Sequence, residues 1–238
     1  MFKDTAYYNK EVSVYSQKRY PETSTDYVHF FFKKRREILM RMIKKIVSEK
    51  SGPLSLLEIG CADGIIIRGI KRQYQEFTRL VAIDIAPSMI EEAKSLSHDS
   101  IEFYVRGEEG ELGLFDVVVE IGVINLTDMN TEFRFAIEHL NQDGYYICSL
   151  ASRTSLLSLL KIKKNHFQNH LSFKEYESEI KKYFTIIDSE VYGIFIPIIW
   201  KVPFLGRIIQ RIIEKVAKPF VPNLFHEKIY FLQKKSVL

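Results

Sequence analysis

The chain has 238 residues, 46% of them hydrophobic and 27% charged, which suits one domain with a sizeable core and an ordinary globular composition. Its net charge of +4 is too small to argue for a nucleic-acid partner by itself. Two cysteines, Cys61 and Cys148, do not make a disulfide framework, which fits a reducing cytosol. No apolar run approaches the roughly eighteen residues of a membrane span, and Met1 to Lys10 has no apolar core of the signal-peptide kind. The expected location is cytoplasmic.

In chain order, residues 1 to about 28 are rich in Tyr and Ser and show no clear period; they are too aromatic for a disordered tail. From Phe30 to Lys50 the apolar positions Phe31, Ile38, Leu39, Met42, Ile43 and Ile46 predict a helical stripe. Ser51-Gly52-Pro53 stops it. Strands and helices then alternate from Leu54 to Ala151, the pattern of a parallel α/β sheet. The run Leu56-Leu57-Glu58-Ile59 enters the turn Gly60-Cys61-Ala62-Asp63-Gly64, and Leu80-Val81-Ala82-Ile83 ends in Asp84. Pro87 opens a helix, Ile101 to Val105 and Phe115 to Glu120 read as strands, and Thr131 to Leu140 reads as a helix. Phe173 to Tyr183 predicts a further helix, and Phe184 to Tyr192 and Lys228 to Gln233 the last two strands.

A glycine-bounded turn after one strand and an acid closing the next form a nucleoside-binding layout, since the backbone can approach a ligand and the acid can accept from ribose hydroxyls. The turn lacks the third glycine of a dinucleotide fingerprint, and Glu58 puts a carboxylate where a pyrophosphate would be repelled. A ligand with an amine or sulfonium suits it better. At these residues the chain resembles the class I S-adenosylmethionine (SAM)-dependent methyltransferases, whose first motif is acid-x-Gly-x-Gly-x-Gly and whose second is an acid closing the next strand. Glu58, Gly60, Ala62, Gly64 and Asp84 fall on those positions, with Cys61 and Asp63 between them and Ala62 the one departure. Arg106-Gly107-Glu108-Glu109 is similar to the family's Gly-Asp-Ala-Glu, and Asn141 to Tyr145 resembles its turn with two glycines. The likeness covers residues 54–151 well and the flanks loosely.

The resemblance implies a doubly wound, mostly parallel seven-stranded sheet with an N-terminal helical arm (1–53), a SAM-binding core (54–151) and a substrate-side segment (152–238) in one domain. It implies SAM as cofactor and S-adenosylhomocysteine as product. Ile85 and Met89 would flank the adenine, Glu108 with Gly107 would meet its amino group, and Glu120 would close the fourth strand. The dull readings are core packing for Met89 and a solvated acid for Glu108. Tyr15, Ser16, Arg19 and Tyr20 form a lid, with Arg19 on the methionine carboxylate, or else a packed aromatic arm.

Asn125, Thr127 and Asp128 follow the fourth strand at the crevice where open sheets bind ligands. His166 and His170 are candidate general bases for a hydroxyl acceptor, although lone histidines are often structural. No tetrad of the amino-methylating nucleic-acid enzymes follows Glu120, and no residues have zinc or magnesium spacing. The expected acceptor is therefore a small molecule, a glycan or a lipid-linked intermediate, methylated at oxygen. The competing readings are a SAM-binding module without turnover and a nicotinamide-dependent reductase.

One segment exceeds the basic fold. Residues 194–222 contain Trp200 and a helix with Leu205, Ile208, Ile209, Ile212, Ile213 and Val216 on one side, and Arg207, Arg211, Lys215 and Lys218 on the other. It either packs on the sheet edge or a second subunit, or rests peripherally on an anionic membrane.

Overall fold

The computed structural model describes residues 12–21, 26–97, 100–161, 167–196 and 203–235. Helix α1 (Tyr15–Arg19) follows a 3₁₀ turn at Val12–Val14, and α2 spans Tyr27–Glu49. The alternating core is β1 (Leu54–Ile59), α3 (Ile65–Gln73), β2 (Phe77–Asp84), α4 (Pro87–Leu96), β3 (Ile101–Val105) and β4 (Phe115–Glu120). It continues with α5 (Met129–Glu138), β5 (Leu140–Ala151), α6 (Leu156–Leu159), α7 (Phe173–Tyr183), β6 (Phe184–Tyr192), α8 (Pro203–Ala217) and β7 (Glu227–Lys234).

The strands form one seven-stranded sheet in the order β3-β2-β1-β4-β5-β7-β6, with β7 antiparallel to both neighbours. The order reverses between β1 and β4, so their carboxyl ends diverge into a crevice. Alternate strand residues feed two apolar layers. Leu56, Leu80, Ala82, Val117 and Val119 face the side covered by α2, α3 and α4. Leu57, Val81, Val118 and Tyr146 face the side covered by α5 and α7. Near-continuous apolar strands are what a sheet buried on both faces requires.

Caps set the helix boundaries. Asp26 accepts from the His29 amide at 2.9 Å, which starts α2 at Tyr27, earlier than the apolar stripe suggests. Asp128 accepts from the Thr131 amide at 2.8 Å and begins α5 at Met129, two residues before the predicted start. Ser172 and Glu175 make a reciprocal capping box on α7. The segment Asn141 to Gly144, expected as a free turn, is a bulge within β5. Leu140 pairs with Phe115 and Tyr145 with Val117, so the extra residues are looped out of register.

Helix α2 is tied to the far sheet edge by a buried charge. Arg35 donates through Nε to the Tyr192 hydroxyl at 3.0 Å, and through Nη2 to Glu227 at 2.5 Å. Burial alone would raise the Glu227 pKa, but the Arg35 guanidinium outweighs it and holds the carboxyl below its ordinary value. A depressed folded-state pKa gives stability that is present above the unfolded value and is lost as pH falls through the folded one. Glu227→Gln leaves Arg35 without its counter-ion and is expected to cost about 3–5 kcal/mol at neutral pH. In urea unfolding, the gap between this variant and the parent narrows as pH drops below the ordinary glutamate range.

Candidate cofactor and active site

The turn between β1 and α3 is left-handed at three places: Gly60 (φ 71°), Ala62 (φ 49°) and Gly64 (φ 73°). Gly60 is required by space as well as by φ, because an added Cβ would lie 2.2 Å from Val123 Cγ2. Ala62 tolerates its strained conformation because Asp84, at the end of β2, accepts from the Ala62 amide at 2.9 Å. The other Asp84 oxygen accepts from the Ala86 amide at 2.9 Å. Asp84 thus clamps the turn to the start of α4. Burial nevertheless raises its pKa, with these amides opposing the shift.

Above the turn lies a cavity of about 110 Å³, walled by Tyr15, Gly60, Ala62, Asp84, Ile85 and Met89 on one side. Arg106, Ile121, Gly122, Val123, Leu126 and Thr127 close the other. The expected residues Tyr15, Gly60, Ala62, Asp84, Ile85 and Met89 therefore meet at one place. The residues after β4 were foreseen only in Thr127, although their position at a strand end was a usable signal. Arg106, the first residue of the Arg106–Glu109 motif, pairs with Glu132 at 2.9 Å and lies 4.7 Å over the Phe135 ring.

The N-terminal arm roofs this cavity. Val12 and Tyr15 pack on Ala62, Ala86 and Met89. The Ser16 hydroxyl donates to Asp63, whose other carboxylate oxygen is buried with no hydrogen-bond partner among the described residues. Arg19 stacks 3.8 Å over the Tyr15 ring and donates to its carbonyl at 3.4 Å. Tyr15 narrows the cavity below the roughly 300 Å³ typical of small-molecule sites.

Other expected residues lie elsewhere. Glu58 is behind the turn, not on the cavity wall, and accepts from the Ile67 amide of α3 at 3.1 Å. Burial pushes its pKa up to about 8, with Asp63 and Asp84 adding to the rise. Burial thus works against the negative charge expected of Glu58. Cys61 and Gly64 belong to the turn but do not line the cavity, and burial drives the Cys61 thiol well up. Gly107 and Glu108 are exposed beyond β3, away from the cavity wall. Glu120 is fully buried under the β4 end and accepts from the Tyr146 hydroxyl.

The segment after α6 approaches the crevice through amide chemistry. Asn125, expected to face a substrate, is instead buried, donating to the Ala151 and Asn169 carbonyls and the Tyr176 hydroxyl and accepting from the Ala151 amide. Asn169 in turn bonds the Thr127 carbonyl, on the cavity wall. His170 is next in the chain; its ring is 3.4 Å from the Ser158 hydroxyl, and burial lowers its pKa. It does not line the cavity, and His166 lies outside the described residues. Among the described residues, no group of His, Cys, Asp and Glu could hold a metal ion.

The raised Glu58 pKa has a sign that can be measured. A carboxyl whose folded-state pKa exceeds its unfolded value stabilises fully below the unfolded value and loses that contribution as pH rises to the folded one. Stability of the ligand-free protein should therefore fall between about pH 4.5 and 8. Glu58→Gln is expected to flatten that slope in melting curves taken across the window.

The cavity suits an adenosyl ligand. It offers a backbone cradle at Gly60, a carboxylate at Asp84 and apolar walls at Ile85 and Met89. A family model described as a methyltransferase domain matches residues 17–185. A malonyl-[acyl-carrier protein] O-methyltransferase of Anoxybacillus flavithermus is 33% identical over 106 residues, which are 43% of this chain and 39% of that protein. The chain thus matches only about two fifths of that relative's length. The magnesium protoporphyrin IX methyltransferase of Synechocystis PCC 6803, solved with bound S-adenosylhomocysteine, superposes with a TM-score of 0.66 at 12% identity, covering 97% of this chain and 98% of that one. The N-methyltransferase NodS of Bradyrhizobium japonicum, also solved with S-adenosylhomocysteine, gives 0.55 at 18% identity, covering 87% and 88%. At such identities the two structures speak for the fold, and the family match carries the assignment: the chain belongs to the methyltransferase-domain family, the class I SAM-dependent methyltransferases.

Proposed function

We propose that the protein methylates an oxygen of a small-molecule, glycan or lipid-linked acceptor. The observation that carries this reading is the single cavity in which the Gly60 turn, Asp84 and the arm residue Tyr15 converge with the β4 end. Asp84 keeps free lone pairs beyond its two amide bonds, and these accept from a ribose diol. Ile85 and Met89 flank the base. Asp63 takes the amine, and Arg19 pairs the carboxylate once the arm re-closes. The name of the A. flavithermus relative, an O-methyltransferase, supports oxygen as the acceptor atom.

When bound, SAM supplies a sulfonium methyl: the S–CH₃ bond breaks as the O–CH₃ bond forms, and S-adenosylhomocysteine leaves. The protein's part is to align, desolvate and manage one proton. The Gly60 turn and the Ile121 to Val123 segment wall the cavity in which the reacting groups would be held. The Tyr15 roof excludes water, which would otherwise solvate the nucleophile. The acceptor proton passes to His170 or to solvent; the lowered His170 pKa favours a neutral ring able to accept it near pH 7. His166 shares that proposed role.

Asp84→Ala removes a charge-assisted acceptor pair worth on the order of 1.5–3 kcal/mol. By titration calorimetry, SAM affinity should fall at least tenfold, and the melting temperature should drop modestly as the Ala62 and Ala86 amides lose their acceptor. An unchanged dissociation constant removes Asp84 from the site. Turnover is tested by S-adenosylhomocysteine release across a panel of hydroxyl, carboxyl and amine acceptors. Release with oxygen acceptors, slowed in His170→Ala at unchanged SAM affinity, is the expected result. Methylation confined to amines overturns the choice of oxygen.

A further inference from the structure

Helix α8 is held to the body by one side. The Tyr27 hydroxyl of α2 donates to Glu214, the Ile194 amide donates to the same carboxyl at 3.3 Å, and Ile213 and Ala217 pack on the α7-side core. The opposite side is uncovered. At about 3.6 residues per turn, Ile208, Ile212 and Val216 form one row, and Phe220 is exposed in the turn just after the helix. Ile212 is 59% exposed, Val216 61% and Phe220 79%. A continuous apolar row of this kind is not what a solvated helix face carries.

Arg211, Lys215 and Lys218 run alongside that row and open into a groove of about 540 Å³ between α8, α2 and β6. Lys33 and Lys34 face them from α2, so the groove carries five cations against the three acids Glu37, Glu190 and Glu214. Glu190 is paired with Lys218 and Arg41, and Glu214 is occupied by Tyr27. An exposed apolar row beside an excess of cations is complementary to a surface that is anionic outside and apolar just beneath. A second copy of this chain would present the same excess of cations, so charge disfavours it as the occupant. No helix among the described residues is long and apolar enough to cross a membrane.

We propose that α8 docks on an anionic lipid bilayer, with Ile212, Val216 and Phe220 entering the interface and the groove cations meeting lipid phosphates. Its use in reaching a lipid-linked acceptor rests on the methyl-transfer reading, whereas the binding itself does not. Failure of one therefore leaves the other standing.

The full chain is sedimented with phosphatidylcholine vesicles and with vesicles containing phosphatidylglycerol. The expected result is binding to the second alone, released by salt to the same extent by chloride and phosphate at matched ionic strength. Phe220→Ser and the pair Ile212→Ser/Val216→Ser should each weaken binding at least tenfold, as should Arg211→Glu/Lys215→Glu. All three should keep the parent's melting temperature and SAM affinity; Phe220, the most exposed, stands as the variant least dependent on packing. No sedimentation at low salt, equal binding to neutral vesicles, or indifference to the Phe220 change overturns the proposal. Release by phosphate far beyond chloride overturns it in favour of a small-anion site. A dimer in analytical ultracentrifugation that Ile212→Ser/Val216→Ser dissociates, with no vesicle binding, overturns it in favour of a second copy.

Discussion

The two hydrogen bonds accepted by Asp84, from the amides of Ala62 and Ala86, are the interaction on which the site depends. They join the end of β2 to the turn after β1 and hold a non-glycine residue, Ala62, at positive φ. Such a conformation costs on the order of 1–3 kcal/mol and persists only where the surroundings over-determine it. The same carboxylate lines the cavity, so the group that shapes the turn also forms part of the cavity wall.

Around that clamp the protein arranges charge by burial more than by pairing. Glu58 sits behind the turn with a pKa near 8, and Glu120 is pushed well above the ordinary range by burial and by Glu132. Burial thus disfavours a negative charge on both carboxyls, since a buried unpaired charge is costly. Asp63 is different, with one oxygen bonded to Ser16 of the arm and the other unpartnered. That residue therefore ties the arm to the turn. Arg35 and Glu227 do comparable work further back. Ser149 accepts from the Gly122 amide at 2.9 Å and lies beside Glu227, so the charge pair that ties α2 to β7 also steadies the cavity wall.

The remaining segments show how added sequence adapts a shared core. The amide clasp of Asn125 and Asn169 fixes the loop after α6 against the β4 end. Helix α8 extends the far edge through Glu214, the single acid in a basic helix. Among the described residues, the contacts that hold it run through Glu214, Ile213 and Ala217, while Ile212 and Val216 stay exposed. The core thus shapes the cavity, while the arm covers it and the clasp and α8 lie at its flanks and at the far sheet edge.

Sequence by itself determined the order of strands and helices, the Gly60 to Gly64 turn and the acid at Asp84. These are set by local physics: the period of apolar residues, glycine at positive φ, and acids at strand ends. The strands Ile101–Val105, Phe115–Glu120 and Phe184–Tyr192 and the helix Phe173–Tyr183 carry the boundaries read from the chain alone. Tertiary structure decided which way side chains face and what they meet. Glu58 turned back toward Ile67, Asn125 became a clasp, Glu108 stayed outside, and Arg19 stacked on Tyr15. It also decided that α8 has two apolar sides, one packed and one open. Such outcomes depend on partners tens or hundreds of residues away, as Tyr27 is from Glu214. No local pattern encodes them, because burial and pairing are properties of the packed whole.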